Sequence, residues 1–234
     1  MTLAGERGVA LVVTLMALLL LAGLGLALVM TTGIEASIAG NYRLSREARY
    51  AAEAALARAL VDLRTAPDWN PVVAGLAVSA FTDGPSGGAR ILADGSRLDL
   101  TAATRLINCG AVSECAPADM DAATESRPWG VNNPRWQIYA HAPLARLVAD
   151  GAVRSPFYTV VWVGDDPAEN DGDPTRDGEA PDNPGAGIIA LRADAFGPGG
   201  SHSAVEATVG RRRPDGAGAT AGPGLRILSW RAVS

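Results

Sequence analysis

The pattern of apolar and polar positions changes character twice along the chain. From Val9 to Met30 the residues read VALVVTLMALLLLAGLGLALVM, and no charge falls between Arg7 and Glu35. A bilayer's hydrocarbon core takes about 20 apolar residues at ~1.5 Å each, so this run predicts a membrane-spanning helix. Its thirteen Leu and Val residues favour insertion by about −4 to −8 kcal/mol, an upper bound at ~−0.3 to −0.6 kcal/mol apiece. Beyond Met30 the apolar positions thin to a stripe. Ile34, Ile38, Tyr42, Ala48, Ala52, Leu56, Leu60 and Leu63 recur at three- and four-residue steps, while Arg43, Arg46, Glu47, Arg49, Glu53, Arg58 and Asp62 lie largely off it. One long helix from Val9 to Arg64 is expected, some ~80 Å in length, with its second half packed by the stripe on a soluble domain. Pro67 and Pro71 stop it, because proline cannot continue a helix.

After residue 65 the period shifts from helical to alternating. Arg90 to Ala93 and Ser96 to Leu100 flank Asp94-Gly95, a turn pair suited to a hairpin. Val72 to Asn108 otherwise reads as mixed short segments, and Ala118 to Ser126 has room for a helical turn. Strand patterns follow at Arg135–His141, Phe157–Val163, Gly187–Asp194, Ala204–Val209 and Leu225–Arg231. A long helix followed by turn-linked strands predicts an α+β fold, with a mainly antiparallel sheet in its C-terminal β domain. Pro214 to Gly224 reads as a mobile Gly/Pro-rich stretch.

Composition narrows the classes. The net charge is −5 over 234 residues, which argues against nucleic acid as a partner. The 27 glycines and 15 prolines cluster in the second half and fit a turn-rich β domain. Cys109 and Cys115 are the only cysteines. They read as one short-loop disulfide in an oxidising compartment, with a gain of at most ~2–3 kcal/mol. Half of a metal site is the weaker reading, because neither His141 nor His202 stands at ligand spacing from the pair.

The acidic stretch Asp165 to Asp182, DDPAENDGDPTRDGEAPD, carries the one candidate for chemistry. Hard oxygen ligands in a flexible loop suit Ca²⁺, and Asp171, Asp173 and Asp177 are the candidate ligands. Asp173, Thr175, Asp177 and Gly178 match the opening of an EF-hand loop, but the twelfth place is Pro184 rather than glutamate. A solvated acidic loop is the competing reading. Catalysis finds little support: there is no phosphate loop and no His-Glu-x-x-His, and no catalytic residue is assigned. His141 ends a strand pattern and His202 reads as a turn residue.

The flanks of the apolar run carry a resemblance. A short polar leader, Met1 to Gly8, ends in Arg7-Gly8 directly before the run. It resembles a prepilin signal, in which a membrane peptidase cuts after the glycine and leaves the hydrophobic helix in place. The run is too long for an ordinary signal peptide. Ile34-Glu35-Ala36-Ser37-Ile38-Ala39-Gly40-Asn41 and Tyr50-Ala51-Ala52-Glu53-Ala54-Ala55-Leu56 resemble the N-terminal region of the PilX family of type IV pilus assembly proteins, minor pilins related to the K-type pseudopilin of type II secretion. A looser likeness lies in Val160 to Arg211. The resemblance implies a pilin-like fold divided into a leader (1–8), a long helix (9–64, transmembrane over 9–30) and a periplasmic or extracellular β-rich domain (65–234). It implies processing at Gly8 and Val9, with Val9 as an N-methylated new terminus. It also implies assembly through the helix that holds Val13, Glu35 and Glu53.

Most pilins carry glutamate at the fifth mature position, and counting from Val9 that position is Val13. An unpaired buried carboxylate is costly, so a subunit with no neighbour above it has reason to lack one. The K-type pseudopilins lack it too, and bind calcium. The resemblance therefore implies a tip or priming subunit, held in the inner membrane before assembly and at the pilus tip or cell surface after it. The implied partners are other minor pilins, the major pilin and the prepilin peptidase. A membrane-anchored, adhesin-like surface-binding module is the alternative, and a tethered enzyme a weaker one.

Overall fold

The structure is a computed structural model that describes residues 6–147, 151–169, 171–178, 185, 187–212 and 224–233. Helix α1 runs from Glu6 to Thr65. After it come α2 (Asn70–Val73), the paired strands β1 (Ala89–Ile91) and β2 (Arg97–Asp99), α3 (Leu100–Cys109) and α4 (Pro117–Met120). Then come β3 (Gln137–Pro143), β4 (Tyr158–Asp165), β5 (Ile188–Phe196), β6 (His202–Arg212) and β7 (Gly224–Val233). The chain divides into two compact units, Met1–Arg43 and Leu44–Ser234.

In the first unit, helical residues from Val9 to Ile38 expose large apolar side chains, with Leu15 52% and Leu19 71% exposed. Burying none of them within the chain, the helix is apolar all round, as a span in lipid or a helix among apolar partners must be.

The second unit is built on a five-stranded sheet ordered β3-β4-β5-β6-β7, every neighbouring pair antiparallel. One face packs on the last five turns of α1. Ala48, Ala51, Ala52, Ala55, Leu56, Ala59 and Leu63 are at most 1% exposed there, in one cluster with Tyr139, Val161, Val163, Ile189, Leu191, Val205 and Val209. The seam on the helix side is mostly alanine. Trp69 closes the end of the seam. Its indole N–H donates to the Leu63 carbonyl at 3.2 Å, and the Arg211 guanidinium stands 4.5 Å over the ring. The other face of β3 and β4 carries Trp136, Ile138, Tyr158, Val160 and Trp162, covered by Leu100 and Ile107 of α3. Both faces of β4 are therefore buried along its whole length.

The strand expectations hold to within a few residues, and the Asp94-Gly95 hairpin pairs Ala89 with Asp99. The region read as mixed short segments contains a helix. Asp99 caps α3 by accepting the Ala102 N–H at 3.0 Å, and Gly110 ends it at φ 69°. The fragment Ser-Arg-Leu-Asp-Leu hid the change of state, since its alternation continues straight into the capping aspartate. His202 is not a turn residue: it opens β6, pairs with Phe196, stacks on it at 4.8 Å and bonds Asp194 at 2.9 Å. The Gly/Pro-rich segment 214–223 lies outside the described residues. Cys109 and Cys115 are joined by a disulfide, just after α3.

Candidate functional site

Two places gather the residues singled out in the sequence. The first is the N-terminal half of α1. Gly8 is helical, and a Cβ built on it would meet nothing within 4 Å. The fold therefore does not require glycine there, which leaves room for a reason outside the fold. The same holds at Gly23, Gly25, Gly33 and Gly40, where small residues allow close approach between helices in lipid. Val9 is 64% and Val13 58% exposed, and Glu35 is exposed one turn past the apolar run. The hydroxyls in this half bond back into the helix: Thr14 to the Leu11 carbonyl, Thr31 to Leu28, Thr32 to Val29 and Ser37 to Gly33, all within 2.9–3.0 Å. That satisfies their protons inside the helix, as hydrocarbon surroundings demand. Among the described residues this is one helix long and apolar enough to cross a membrane. Glu53 lies in the second unit and pairs with Arg49 at 2.9 Å, four residues back. That is an ordinary helix-surface ion pair.

The second place is the loop that leaves β4. Asp165 is the last residue of the strand and is 4% exposed; Glu169 follows one tight turn later, its N–H on the Asp166 carbonyl at 2.9 Å, and is 2% exposed. Glycine at 185 makes this burial possible. A Cβ there would lie 2.6 Å from the Glu169 Cβ and 2.9 Å from its Cα. Asp165, Glu169 and Asp171 bring one carboxylate oxygen each to within 4.8 Å of one another. Burial, with the neighbouring Glu169 carboxyl after it, pushes Asp165 well above the usual carboxylate range. Burial likewise raises Glu169. One Asp165 oxygen, Oδ1, is buried with no hydrogen-bond partner. Two crowded carboxylates out of water must share a proton or a cation.

Of the three metal ligands expected from the sequence, only Asp171 joins this group. Asp173 turns into its own loop, where Oδ1 accepts from the Thr175 hydroxyl at 2.6 Å and from its N–H at 3.1 Å. The Thr175 hydroxyl, with its backbone N–H, holds Asp173 below the usual range. Asp177 accepts the Gly187 N–H at 2.6 Å, and its own N–H donates to Asn70 Oδ1 at 2.9 Å. The match to an EF-hand opening thus places two of its carboxylates in loop-shaping bonds. Pro184 lies outside the described residues. Asp165 and Glu169 were missed because each reads as an ordinary member of an acidic run. Their four-residue spacing was the available signal, and only the close approach of Gly185 buries them together.

Two further polar clusters bond internally, though the buried His141 Nε2 has no described partner. His141 is fully buried, and its Nδ1 lies 3.0 Å from both Asp83 Oδ1 and the Tyr158 hydroxyl. Tyr158 donates to Asp83 at 2.7 Å, and Arg90 does so at 2.9 Å. Burial holds His141 below the usual histidine range, against the pull of Asp83. Gly84-Pro85-Ser86-Gly87-Gly88 has Gly-x-Ser-x-Gly spacing. Ser86 lies in an exposed bend before β1 rather than on a strand-to-helix elbow, and no described hydrogen bond joins it to His141. On the open face of the sheet, Arg192 bonds Asp194 at 2.8 Å and Glu206 at 3.2 Å, with Arg231 also on Glu206. These charges neutralise one another.

Residues 7–57 match the model of the PilX N-terminal family. The match covers less than a quarter of the chain, and over that stretch the chain is similar to the N-terminal region of PilX proteins. The match opens at Arg7, one residue before Gly8, takes in the whole apolar run and ends inside the alanine seam just past Leu56. No curated protein and no solved structure matches the chain. The similarity supports a pilus-related reading, and among the described residues the N-terminal helix is long and apolar enough to cross a membrane.

Proposed function

We propose that this chain is a tip or priming subunit of a type IV pilus. The observation that carries the reading is the placement of the PilX N-terminal match, which starts at the residue before Gly8 and continues through the span into the helix–sheet seam. Prepilin peptidase cuts after Gly8, the leader 1–8 is lost, and Val9 becomes the N-methylated terminus. Residues 9–64 form the pilin helix, with 9–30 in the inner membrane before assembly and among the helices of other pilins afterwards. The domain 65–234 stands on the periplasmic side and then at the pilus tip. Val13 supports the terminal position. A subunit capping a fibre needs no carboxylate there for the amine of a subunit above, and an unpaired one in an apolar bundle would be costly.

The test is the N-terminal sequence of the mature protein from strains with and without prepilin peptidase. Val9 in first place only when the peptidase is present supports the reading. Met1 retained in both strains, or a cut downstream of Met30 that frees the rest, ends it. Gly8→Leu should leave the fold intact, since the site is open in the helix, while blocking cleavage and piliation.

We also propose that the acidic cluster holds a divalent cation, Ca²⁺ by the hardness of its oxygen donors. Asp165, Glu169 and Asp171 are the ligands, in place of the set expected from sequence. The unpartnered, buried Asp165 Oδ1 favours this. A bound cation would neutralise carboxylates that otherwise share a proton. Titration of the full chain with millimolar Ca²⁺ in a calorimeter checks it: heat that Asp165→Asn abolishes supports the site, and no heat in the parent chain removes it.

A further inference from the structure

The two edges of the sheet are finished differently. At β3 the chain closes its own edge. Ser79 N–H donates to the Tyr139 carbonyl at 2.8 Å, His141 N–H to Phe81 at 3.0 Å, and Asp83 N–H to His141 at 3.0 Å, so residues 79–83 run along the strand. The buried Asp83–His141–Tyr158–Arg90 cluster pins that segment in place. At β7, among the described residues, nothing pairs with the outer side. Yet β7 is ten residues long, and seven of them are exposed.

What β7 exposes is apolar on both faces. Ile227 is opposite Val209 and Trp230 opposite Ala207, on the face that α1 covers elsewhere. They remain 49% and 40% exposed. Leu228 lies beside Gly210 at the bulge, on the other face, and is 45% exposed. Sheet edges are usually guarded by short strands, charges or bulges. Here the bulge and Arg226 and Arg231 are such guards, but the strand is long and its large apolar side chains stay open. Both arginines stand on the open face, opposite Gly210 and Glu206, and β7 carries no Asp or Glu.

We propose that the β7 edge receives an extended strand from a second, different polypeptide, one that alternates apolar residues with Asp or Glu. The backbone groups of β7 supply the ladder, as in strand addition generally. Ile227 and Trp230 take the apolar side chains on the α1 face; on the other face Arg226 meets a carboxylate directly, and Arg231, which already holds Glu206, adds a weaker pull, the alternation matching the period of two. A second copy of β7 fits less well, since it brings two more arginines and no carboxylate. The inference stands on the sheet edge alone and does not depend on the chain entering a pilus.

The test uses the full chain in detergent and two synthetic peptides of β7's length, valine alternating with glutamate or with lysine. Amide hydrogen exchange reports the contact. The glutamate peptide should slow exchange across 224–233 and the lysine peptide should not. Arg226→Glu with Arg231→Glu should weaken the glutamate peptide about tenfold and admit the lysine peptide. Arg226→Glu alone, at an exposed position, should shift both in the same sense without disturbing the Arg231–Glu206 pair. No protection at β7, equal protection by both peptides, or protection that rises with protein concentration and no peptide would each overturn the proposal, the last by showing a second copy as occupant.

Discussion

Helix α1 presents apolar side chains in both its halves, all round in the first and along one stripe in the second, and the two sets are made of different residues. Between Val9 and Met30 it carries nine leucines, and the large apolar residues there are 52–71% exposed. Between Ala48 and Ala59 alanine dominates, and Ala48, Ala52, Ala55, Leu56 and Ala59 are fully buried. Size follows the neighbour. A fluid hydrocarbon, or the grooves of other helices, accommodates bulky side chains wherever they fall and rewards area. A rigid β-sheet accepts only what its surface leaves room for, so the helix presents mostly small residues to it. The first half therefore tolerates exchange of one large residue for another, and the second does not.

The same substitution made in each half gives the largest contrast. Leu56→Ala should cost the folded domain about 2–5 kcal/mol, since the rigid seam cannot collapse into the space. Leu20→Ala should leave the domain's thermal transition where it was and weaken only insertion, by about half a kcal/mol. Thermal unfolding of the full chain in detergent checks both, and equal losses would erase the distinction. Overfilling is the reverse probe. Ala52→Leu should lower stability by about 1–3 kcal/mol, whereas Ala27→Leu should be silent in the same measurement.

The acidic cluster sharpens the contrast through pH, because the apolar run has no titrating side chain between Arg7 and Glu35. Asp165 and Glu169 are raised by burial in the folded state. With both neutral, below the unfolded value near 4, the fold bears no penalty. As pH rises past that value the unfolded chain ionises first, and stability falls until the raised folded values are passed. Without added cation, Asp165→Asn should flatten this decline and gain about 1–3 kcal/mol at neutral pH. A pH profile unchanged by that substitution would contradict the buried pair. The smallest effect belongs to the helix surface. Glu53→Gln removes the Arg49 partner and should cost no more than ~0.5 kcal/mol.

Much of the architecture was legible from short-range pattern. The span, the Ala52–Leu56–Leu63 stripe, the Asp94-Gly95 hairpin and the five sheet strands each follow from residues within a few positions of one another. Helix α3 was also written locally, in Asp99 and Gly110, but its capping aspartate continues the alternation of β2, so the wrong period was read. The candidate metal ligands were half legible. The acidic loop stands out, yet which carboxylates converge depends on Gly185 reaching Glu169 and on Asn70 and Gly187 drawing Asp177 away.

By itself, then, the sequence determined the elements and the partition between a span and a domain, because periodicity and the length of an apolar run are properties of neighbours in the chain. The tertiary structure alone decided that His141 is buried in a hydrogen-bonded cluster and that Asp165 and Glu169 are buried side by side. It also decided that residues 79–83 close one edge of the sheet while, among the described residues, β7 leaves the other open. Each of these joins segments far apart in sequence, where loop closure and strand register, rather than local pattern, choose who meets whom.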